Sequence, residues 1–149
     1  MMHRRRRLAL LHYDDTEHPL VRVAITGVRT LEDDTAYMNR VEALLNAGER
    51  FALVMDERST TDHAVKGHAR RALQWAISRW GRLKRTCVGL AIIVDELDLV
   101  PPAGPRRDLR PILPVPVAIF TDSEMADAWL RSRLAAAGEE HDIVEQYAV

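Results

Sequence analysis

Carboxylates that follow predicted strands are the side chains of this sequence best suited to chemistry. They are Asp56, Glu57, Asp95, Glu96 and Asp122. Parallel strands end at a common sheet edge, where two carboxylates held together could act as a general acid and a general base. Carboxylates are also favoured at helix N-termini, because they accept hydrogen bonds from free backbone amides and face a positive dipole. Capping accounts for each residue taken singly, so the sequence favours a structural role.

A polar segment that links the strand ending at Asp56 to the next predicted helix is the second candidate site. It contains Ser59, Thr60, Thr61, Asp62 and His63. A phosphate on one of its hydroxyls would be stabilised by the positive end of the helix. Asp56 and these residues are therefore a candidate phospho-switch or ligand loop. The same residues also suit an ordinary loop that caps a helix.

The helix predicted over about residues 62–83 carries an aromatic residue off its apolar stripe. The stripe comprises Val65, Ala69, Ala72, Leu73, Ala76, Ile77 and Trp80. Trp75 shares a different face with His68, Arg71 and Arg79. An aromatic ring among cations is typical of a protein interface, so these four residues are a candidate partner-binding surface. Alternatively, Trp75 covers a second edge of the core or packs under a neighbouring loop.

Patterns for metal binding and nucleophilic catalysis are missing from the sequence. His63 and His68 are five positions apart, which is about 140° around a helix, whereas a metal-binding pair shares one face. Cys87 is the single cysteine, and its apolar surroundings predict a buried, inert thiol. No Gly-x-Gly-x-x-Gly, Walker or Gly-x-Ser-x-Gly motif is present. We therefore predict no metal or other cofactor, and an enzyme is the less favoured class.

Length and charge set the broad class of the protein. The 149 residues suit a single domain, predicted over residues 1–138 with a tail at 139–149. The formal net charge is −1, so no nucleic-acid partner is expected, and Arg4–Arg7 is interpreted as a solvated tail. One cysteine suits a reducing compartment, and no apolar run reaches the roughly 18 residues of a membrane span. A cytoplasmic location without a transmembrane segment is expected.

Apolar periodicity predicts the element order ββαβαβ, then a loop, then βα. Two strands, Leu8–Tyr13 and Leu20–Thr26, form a predicted hairpin. Thr30 with Asp33 marks the N-terminus of a helix that Gly48 ends.

Later elements continue the alternation of strands and helices. Buried strands are predicted over three apolar runs, Phe51–Met55, Thr86–Val94 and Val115–Phe120. Leu97–Pro114 is a predicted proline-rich loop, and residues 121–124 form a predicted capping box for a final helix that Gly138 ends. Strand–helix–strand order implies parallel pairing. The predicted fold is an α/β domain with a mixed, largely parallel central sheet of about five strands and three main helices.

Three segments together resemble the SpoIIAA-like domains, small bacterial proteins with the STAS fold. They are Val23–Asp33, Phe51–Asp56 and Val117–Leu130. The first is similar to the strand-Gly-x-x-Thr-x-Glu-Asp opening of these domains. The second is similar to their strand that ends in aspartate, and the third to their closing strand and helix with its Trp-Leu. The resemblance covers about residues 20–134 and implies a STAS-like fold.

The resemblance also implies a non-enzymatic switch that binds a partner protein. In the antagonist branch of these domains, a serine at the start of the helix after the aspartate-ended strand is phosphorylated to release the partner. That position aligns near Asp62 and His63, where the usual Asp-Ser-Ser or Asp-Ser-Thr signature is absent. The proline-rich segment Leu97–Pro114 also departs from these domains, which commonly have a helix there.

Our leading hypothesis is a STAS-like regulatory module that binds a partner protein through helix 62–83 and the loop 56–63. An alternative is a domain that holds a small apolar ligand or lipid between sheet and helices, by analogy with related folds. A third hypothesis is an enzyme that uses Asp56 with Glu57 or His63. The sequence leaves a homodimer open.

Overall fold

Six strands and four helices lie within the part of the chain that the structure describes. The computed structural model describes residues 10–28, 30–58, 60–62, 68–95 and 114–147, and gives only the backbone for 10, 28, 60–62, 68–69 and 139–147. The strands are β1 (Leu10–Asp14), β2 (Leu20–Val28), β3 (Phe51–Asp56), β4 (Thr60–Asp62), β5 (Cys87–Ile93) and β6 (Val117–Phe120). The helices are α1 (Leu31–Ala47), α2 (His68–Ser78), α3 (Trp80–Thr86) and α4 (Ser123–Tyr147).

The central sheet has the strand order β1-β2-β3-β5-β6, and β4 pairs with β2 outside that order. β1 and β2 are antiparallel, as expected for a hairpin, and the pairs β2–β3, β3–β5 and β5–β6 are parallel. β3 and β4 pair with consecutive parts of β2: Ala24 pairs with Asp56 of β3, and Gly27 then pairs with Thr60 of β4. The predicted α/β fold with a mixed, largely parallel sheet is confirmed.

Two apolar cores cover the two faces of the sheet. The first joins α1, α2 and α3 to one face, and Phe51 is its largest fully buried side chain. The second joins α4 to the opposite face through buried residues that include Leu130. A polar clamp adds to this second contact, because Arg22 of β2 donates to both carboxylate oxygens of Asp127 at 2.7 and 2.6 Å. The sheet is therefore the rigid layer against which all four helices are positioned.

Both ends of α1 form as the sequence predicts. The Thr30 hydroxyl accepts a hydrogen bond from the Asp33 N–H at 3.2 Å, and the Asp33 carboxylate accepts one from the Thr30 N–H at 2.8 Å. Gly48 ends the helix with φ 74°, and its N–H donates to the carbonyl of Leu45. Glycine adopts this left-handed conformation without a steric penalty. The capping box and the terminating glycine are confirmed.

The prediction of one helix from about Asp62 to Leu83 is wrong at its start. Thr60–Asp62 forms β4, and the described part of α2 starts at His68. Pairing with Gly27 and Val28 of β2 satisfies backbone groups in this segment. Because backbone donors and acceptors must be paired when they leave water, an available strand edge competes with helix formation.

The same prediction is wrong in the middle of the helix, where Arg79 separates α2 from α3. The carbonyl of Trp75 accepts hydrogen bonds from the Ser78 hydroxyl at 2.7 Å and from the Arg79 guanidinium at 3.3 Å. The Arg79 N–H donates to the carbonyl of Ala76 at 3.1 Å, one residue nearer than the acceptor in an α-helix. Side chains thus compete with the backbone for one acceptor, and the helix breaks there.

The final helix differs from the prediction at both ends. Its N-terminus is capped by Asp122 and not by Thr121, because the Asp122 carboxylate accepts from the Glu124 N–H at 2.8 Å. The helix also continues through Gly138 to Tyr147. Glycine costs only about 1 kcal/mol inside a helix, and alanine and glutamate neighbours favour its continuation. The division into a domain over residues 1–138 and a tail stays a prediction.

The strand before this helix starts at Val117 and not at the predicted Val115. Pro116 lacks a backbone N–H and so cannot donate to a β-ladder. The predicted loop Leu97–Pro114 lies outside the described residues, apart from Pro114 itself.

Candidate functional site

The carboxyl ends of β3, β5 and β6 meet at one edge of the sheet. The backbone N–H groups of Glu57 and Val94 donate to carbonyls of the neighbouring strand, each at 2.9 Å. These bonds extend the two parallel ladders past the last residue of each strand. Four of the five predicted carboxylates therefore lie at adjacent strand ends, namely Asp56, Glu57, Asp95 and Asp122. Glu96 lies outside the described residues.

Arg58 is bound to the first of these carboxylates. Its Nε donates to Oδ1 of Asp56 at 3.0 Å and its Nη2 donates to Oδ2 at 2.7 Å, which makes a bidentate pair. These hydrogen bonds raise the pKa of the Arg58 guanidinium against the effect of burial, and the charges of Asp95 and Asp122 act in the same direction. Sequence reasoning missed Arg58, although a cation two residues after a strand-end aspartate is a recognisable signal.

The contacts of Asp56 and Asp122 are structural. Burial raises the pKa of the Asp56 carboxyl, but the hydrogen bonds from the Arg58 side chain and backbone outweigh it and leave the pKa below its ordinary value. A general acid or base works best with a pKa near the operating pH, so Asp56 is poorly suited to either role at neutral pH. Asp122 caps α4, as the capping interpretation of strand-end carboxylates predicts.

The predicted phospho-switch or ligand loop is only partly described by the structure. Thr60, Thr61 and Asp62 form β4, whereas Ser59 and His63 lie outside the described residues. β4 places the two threonines beside the end of β2 and not in the first turn of a helix.

Arginine–carboxylate pairs hold the inward face of α2 and α3 on α1. Nη2 of Arg71 lies 3.6 Å from Oδ2 of Asp34, a buried carboxylate in the first turn of α1. Glu42 accepts a hydrogen bond from Nε of Arg79 and another, at 3.1 Å, from Nη2 of Arg82. The two hydrogen bonds to Glu42 join ionised groups and are therefore stronger and more directional than neutral ones. Together with the longer Arg71–Asp34 ion pair, they fix how α2 and α3 are turned.

Trp75 lies on this inward face as well. It is half-buried against the first core, and the guanidinium carbon of Arg79 lies 4.6 Å from the centroid of its ring. That distance is typical of a cation–π contact. Three of the four residues predicted to bind a partner, Arg71, Trp75 and Arg79, are thus engaged within the chain. The side chain of the fourth, His68, lies outside the described part.

The apolar stripe predicted for this helix is wrong at two positions. The spacing of Ile77 and Trp80 predicts that they lie in the core, but they are 55% and 40% exposed. The helix is turned so that Arg71, Arg79 and Arg82 face α1. A periodicity of apolar residues cannot detect this orientation, because it treats every arginine as an outward residue and ignores the carboxylates of a neighbouring helix.

The outward face of α2 and α3 carries apolar residues between cations. Six exposed residues make up this face, which we call the α2–α3 ridge: Arg70, Gln74, Ile77, Trp80, Gly81 and Lys84. Their separations of three and four residues are those of neighbours on one face of a helix. The ridge thus has an apolar centre at Ile77 and Trp80, with a cation at either end.

Glu42 holds the break between α2 and α3 on α1, and its role can be measured by titration. Hydrogen bonds from Arg79 and then from Arg82 outweigh desolvation and lower the pKa of the Glu42 carboxyl from its ordinary value of 4.5. A lowered folded-state pKa contributes stability above pH 4.5, and this stability is lost as the pH falls through the folded-state pKa. Glu42→Gln is therefore expected to lower the free energy of unfolding at pH 7 by about 1 kcal/mol.

Chemical denaturation at a series of pH values checks this expectation. The difference between wild type and Glu42→Gln should shrink below pH 4.5. Glu49→Gln is the matched control. The Glu49 side chain is 72% exposed, and its ion pair with His18 is long, at 3.8 Å. A Glu42→Gln difference that stays constant from neutral to acidic pH would show that the ionised carboxylate does not hold α1 to α2 and α3.

The remaining candidates from the sequence are the cysteine, a metal site and a membrane span. Cys87 is buried and free, as predicted, and burial raises the pKa of its thiol to about 12. Among the residues described, no group of three or more His, Cys, Asp or Glu side chains is placed to hold a metal ion. None of the described helices combines the length and the apolarity that crossing a membrane requires.

Comparison with known proteins identifies the fold. The sequence matches no family model and no curated protein. The structure is similar to the crystal structure of an uncharacterized protein of the DUF3478 family from Shewanella loihica PV-4, which is described as having a SpoIIAA-like fold. The two share 15% sequence identity with a TM-score of 0.54, over 82% of this chain and 93% of that chain. The SpoIIAA-like fold implied by the sequence is confirmed.

Proposed function

We propose that this chain is a non-enzymatic, regulatory protein-interaction module, and that its partner binds the α2–α3 ridge. The observation that supports the proposal is the exposure of Ile77 and Trp80 on helices whose opposite face is held by ion pairs. Tryptophan is enriched among the residues that dominate binding energy, and burial of an apolar neighbour adds to the same contact.

Rigid support makes the ridge suitable for binding. Arg71, Arg79 and Arg82 are paired with carboxylates of α1, and Trp75 packs against the first core beneath them. A surface that is already ordered loses little conformational entropy when a partner binds. We therefore propose that Arg71, Trp75 and Arg79 contribute to partner binding by positioning the ridge.

The segment 56–62 is proposed as a second contact, because it leads along the chain towards α2. Its first part is held by the bidentate pair of Arg58 with Asp56, and its last part by the pairing of β4 with β2. These contacts hold residues 56–58 and 60–62 at the carboxyl edge of the sheet, where α/β proteins commonly bind ligands.

Loss of the two apolar ridge residues is the direct test. Affinity-tagged wild type and the double variant Ile77→Ala/Trp80→Ala are used to capture proteins from a lysate of the native host, with quantitative mass spectrometry of the recovered proteins. Truncation of two central interface residues is expected to reduce recovery of a specific partner about tenfold or more. Met125→Ala is the matched control, since Met125 is 62% exposed on α4, which covers the opposite face of the sheet.

Circular dichroism and the unfolding midpoint establish that each variant is folded. If the double variant is unstable, Ile77→Asp replaces it, because a charge at an exposed position disrupts an apolar interface while it leaves the core intact. Recovery that is equal for wild type, the ridge variant and Met125→Ala would overturn the proposal.

A further inference from the structure

We infer that the partner segment bound by the α2–α3 ridge is an acidic amphipathic helix of another protein. This inference rests on the proposed function and specifies the chemistry of its partner. Its basis is the distribution of charge on and beneath the ridge.

The chain segment that contains α2 and α3 carries positive charges and no negative ones. Between residues 63 and 94 the chain contains no Asp or Glu, and its cations are Lys66, Arg70, Arg71, Arg79, Arg82, Lys84 and Arg85. Arg71, Arg79 and Arg82 face inward to Asp34 and Glu42.

Three further cations lie on the outward side and remain available to a partner. Arg70 and Lys84 are the two ends of the ridge, Arg85 follows Lys84 in α3, and all three are exposed. Because like charges repel, the ridge disfavours basic partners, and complementary acidic groups accelerate and orient association.

The spacing of these groups indicates a helical partner. Arg70 lies in α2 and Lys84 in α3, at opposite ends of the ridge, with the break at Arg79 between them. Ile77 and Trp80 lie between them and are exposed, and Nη1 of Arg85 would lie 3.3 Å from a Cβ at Gly81, so this cation borders the apolar centre. A helix that presents apolar residues at its centre and carboxylates towards both ends would match this pattern, in the way that amphipathic helices bind exposed grooves and faces.

Two other occupants match the ridge less well. Nucleic acid would need a row of free cations and several stacking platforms, whereas two of the arginines are engaged by Glu42 and the ridge has one aromatic ring. A second copy of this chain docked ridge to ridge would bring Arg70 against Lys84 across a two-fold axis, which places like charges together.

Binding of designed peptides tests the inference with the full chain. Two lactam-bridged helical peptides of about 15 residues share the same leucine positions and carry either glutamate or lysine at both ends. Fluorescence anisotropy measures their dissociation constants. The acidic peptide is expected to bind about tenfold tighter than the basic one, and its binding should weaken severalfold between about 50 and 200 mM salt.

Charge reversal on the ridge is the decisive variant. Arg70→Glu/Lys84→Glu/Arg85→Glu should reverse the preference, so that the basic peptide binds more tightly. Arg131→Glu is the matched control, because Arg131 is 59% exposed on α4, and it should leave the preference unchanged. Equal binding of both peptides, binding of neither, tighter binding of a single-stranded oligonucleotide, or self-association through the ridge would each overturn the inference.

The capture experiment separates this inference from the proposed function. If the lysate partner is lost with Ile77→Ala/Trp80→Ala but retained with the charge-reversed variant, the interaction module stands and the acidic-helix partner is rejected. If neither variant affects recovery, both proposals fail.

Discussion

Phe51→Ala is expected to lower the free energy of unfolding by about 3–5 kcal/mol. Phe51 begins the central strand β3, is 0% exposed and contributes to the first core, on which α1, α2 and α3 pack. Removal of its ring takes away apolar contacts and leaves a cavity between sheet and helices, and tightly packed surroundings close such a cavity only in part. A loss of this size is a large fraction of the 5–15 kcal/mol typical of a domain's stability.

Urea denaturation followed by circular dichroism gives the free energies of unfolding. Met125→Ala serves as the control, since Met125 is 62% exposed, and its effect should stay within about 0.5 kcal/mol. A Phe51→Ala effect as small as that of Met125→Ala would contradict the placement of β3 between the two cores.

Leu130→Ala is expected to lower the free energy of unfolding by about 2–5 kcal/mol, because Leu130 is 0% exposed at the centre of the second core. Its side chain also restricts Gly89 of β5. A Cβ at Gly89 would lie 3.1 Å from Cδ2 of Leu130 and 3.5 Å from the ring of Trp129. Gly89→Ala alone should therefore be destabilising by about 1 kcal/mol, because the added methyl group overpacks the core.

The two substitutions together should be less destabilising than the sum of their separate effects. In the Leu130→Ala background the new methyl group of Gly89→Ala enters the vacated space, and alanine also loses less backbone entropy than glycine on folding. Gly89→Ala is thus expected to change sign, from destabilising in wild type to stabilising in Leu130→Ala. A double-mutant cycle of unfolding free energies measures this coupling. Strict additivity would show that α4 does not press on β5 at this point.

Local chemistry determined several parts of this fold from the sequence alone. The hydroxyl of Thr30, the carboxylate of Asp33 and the conformational freedom of Gly48 specify the ends of α1 through contacts within a few residues. The continuous apolar run from Phe51 predicted a strand buried on both faces, and the alternation of strands and helices predicted parallel pairing. Such features depend on near neighbours in the chain, so periodicity and capping patterns predict them.

Orientation of α2 and α3 was decided by tertiary structure. Their sequence places Ile77 and Trp80 at core spacing and arginines at apparently outward positions. Only when α1 brings Asp34 and Glu42 alongside do Arg71, Arg79 and Arg82 become inward residues. The apolar pair is then left exposed between cations. These partners lie about 37 to 40 positions away in the chain, a separation that no local pattern reports. The sequence by itself thus determined the main strands, the ends of α1 and the fold class, whereas long-range ion pairs decided which face of α2 and α3 is available to a partner.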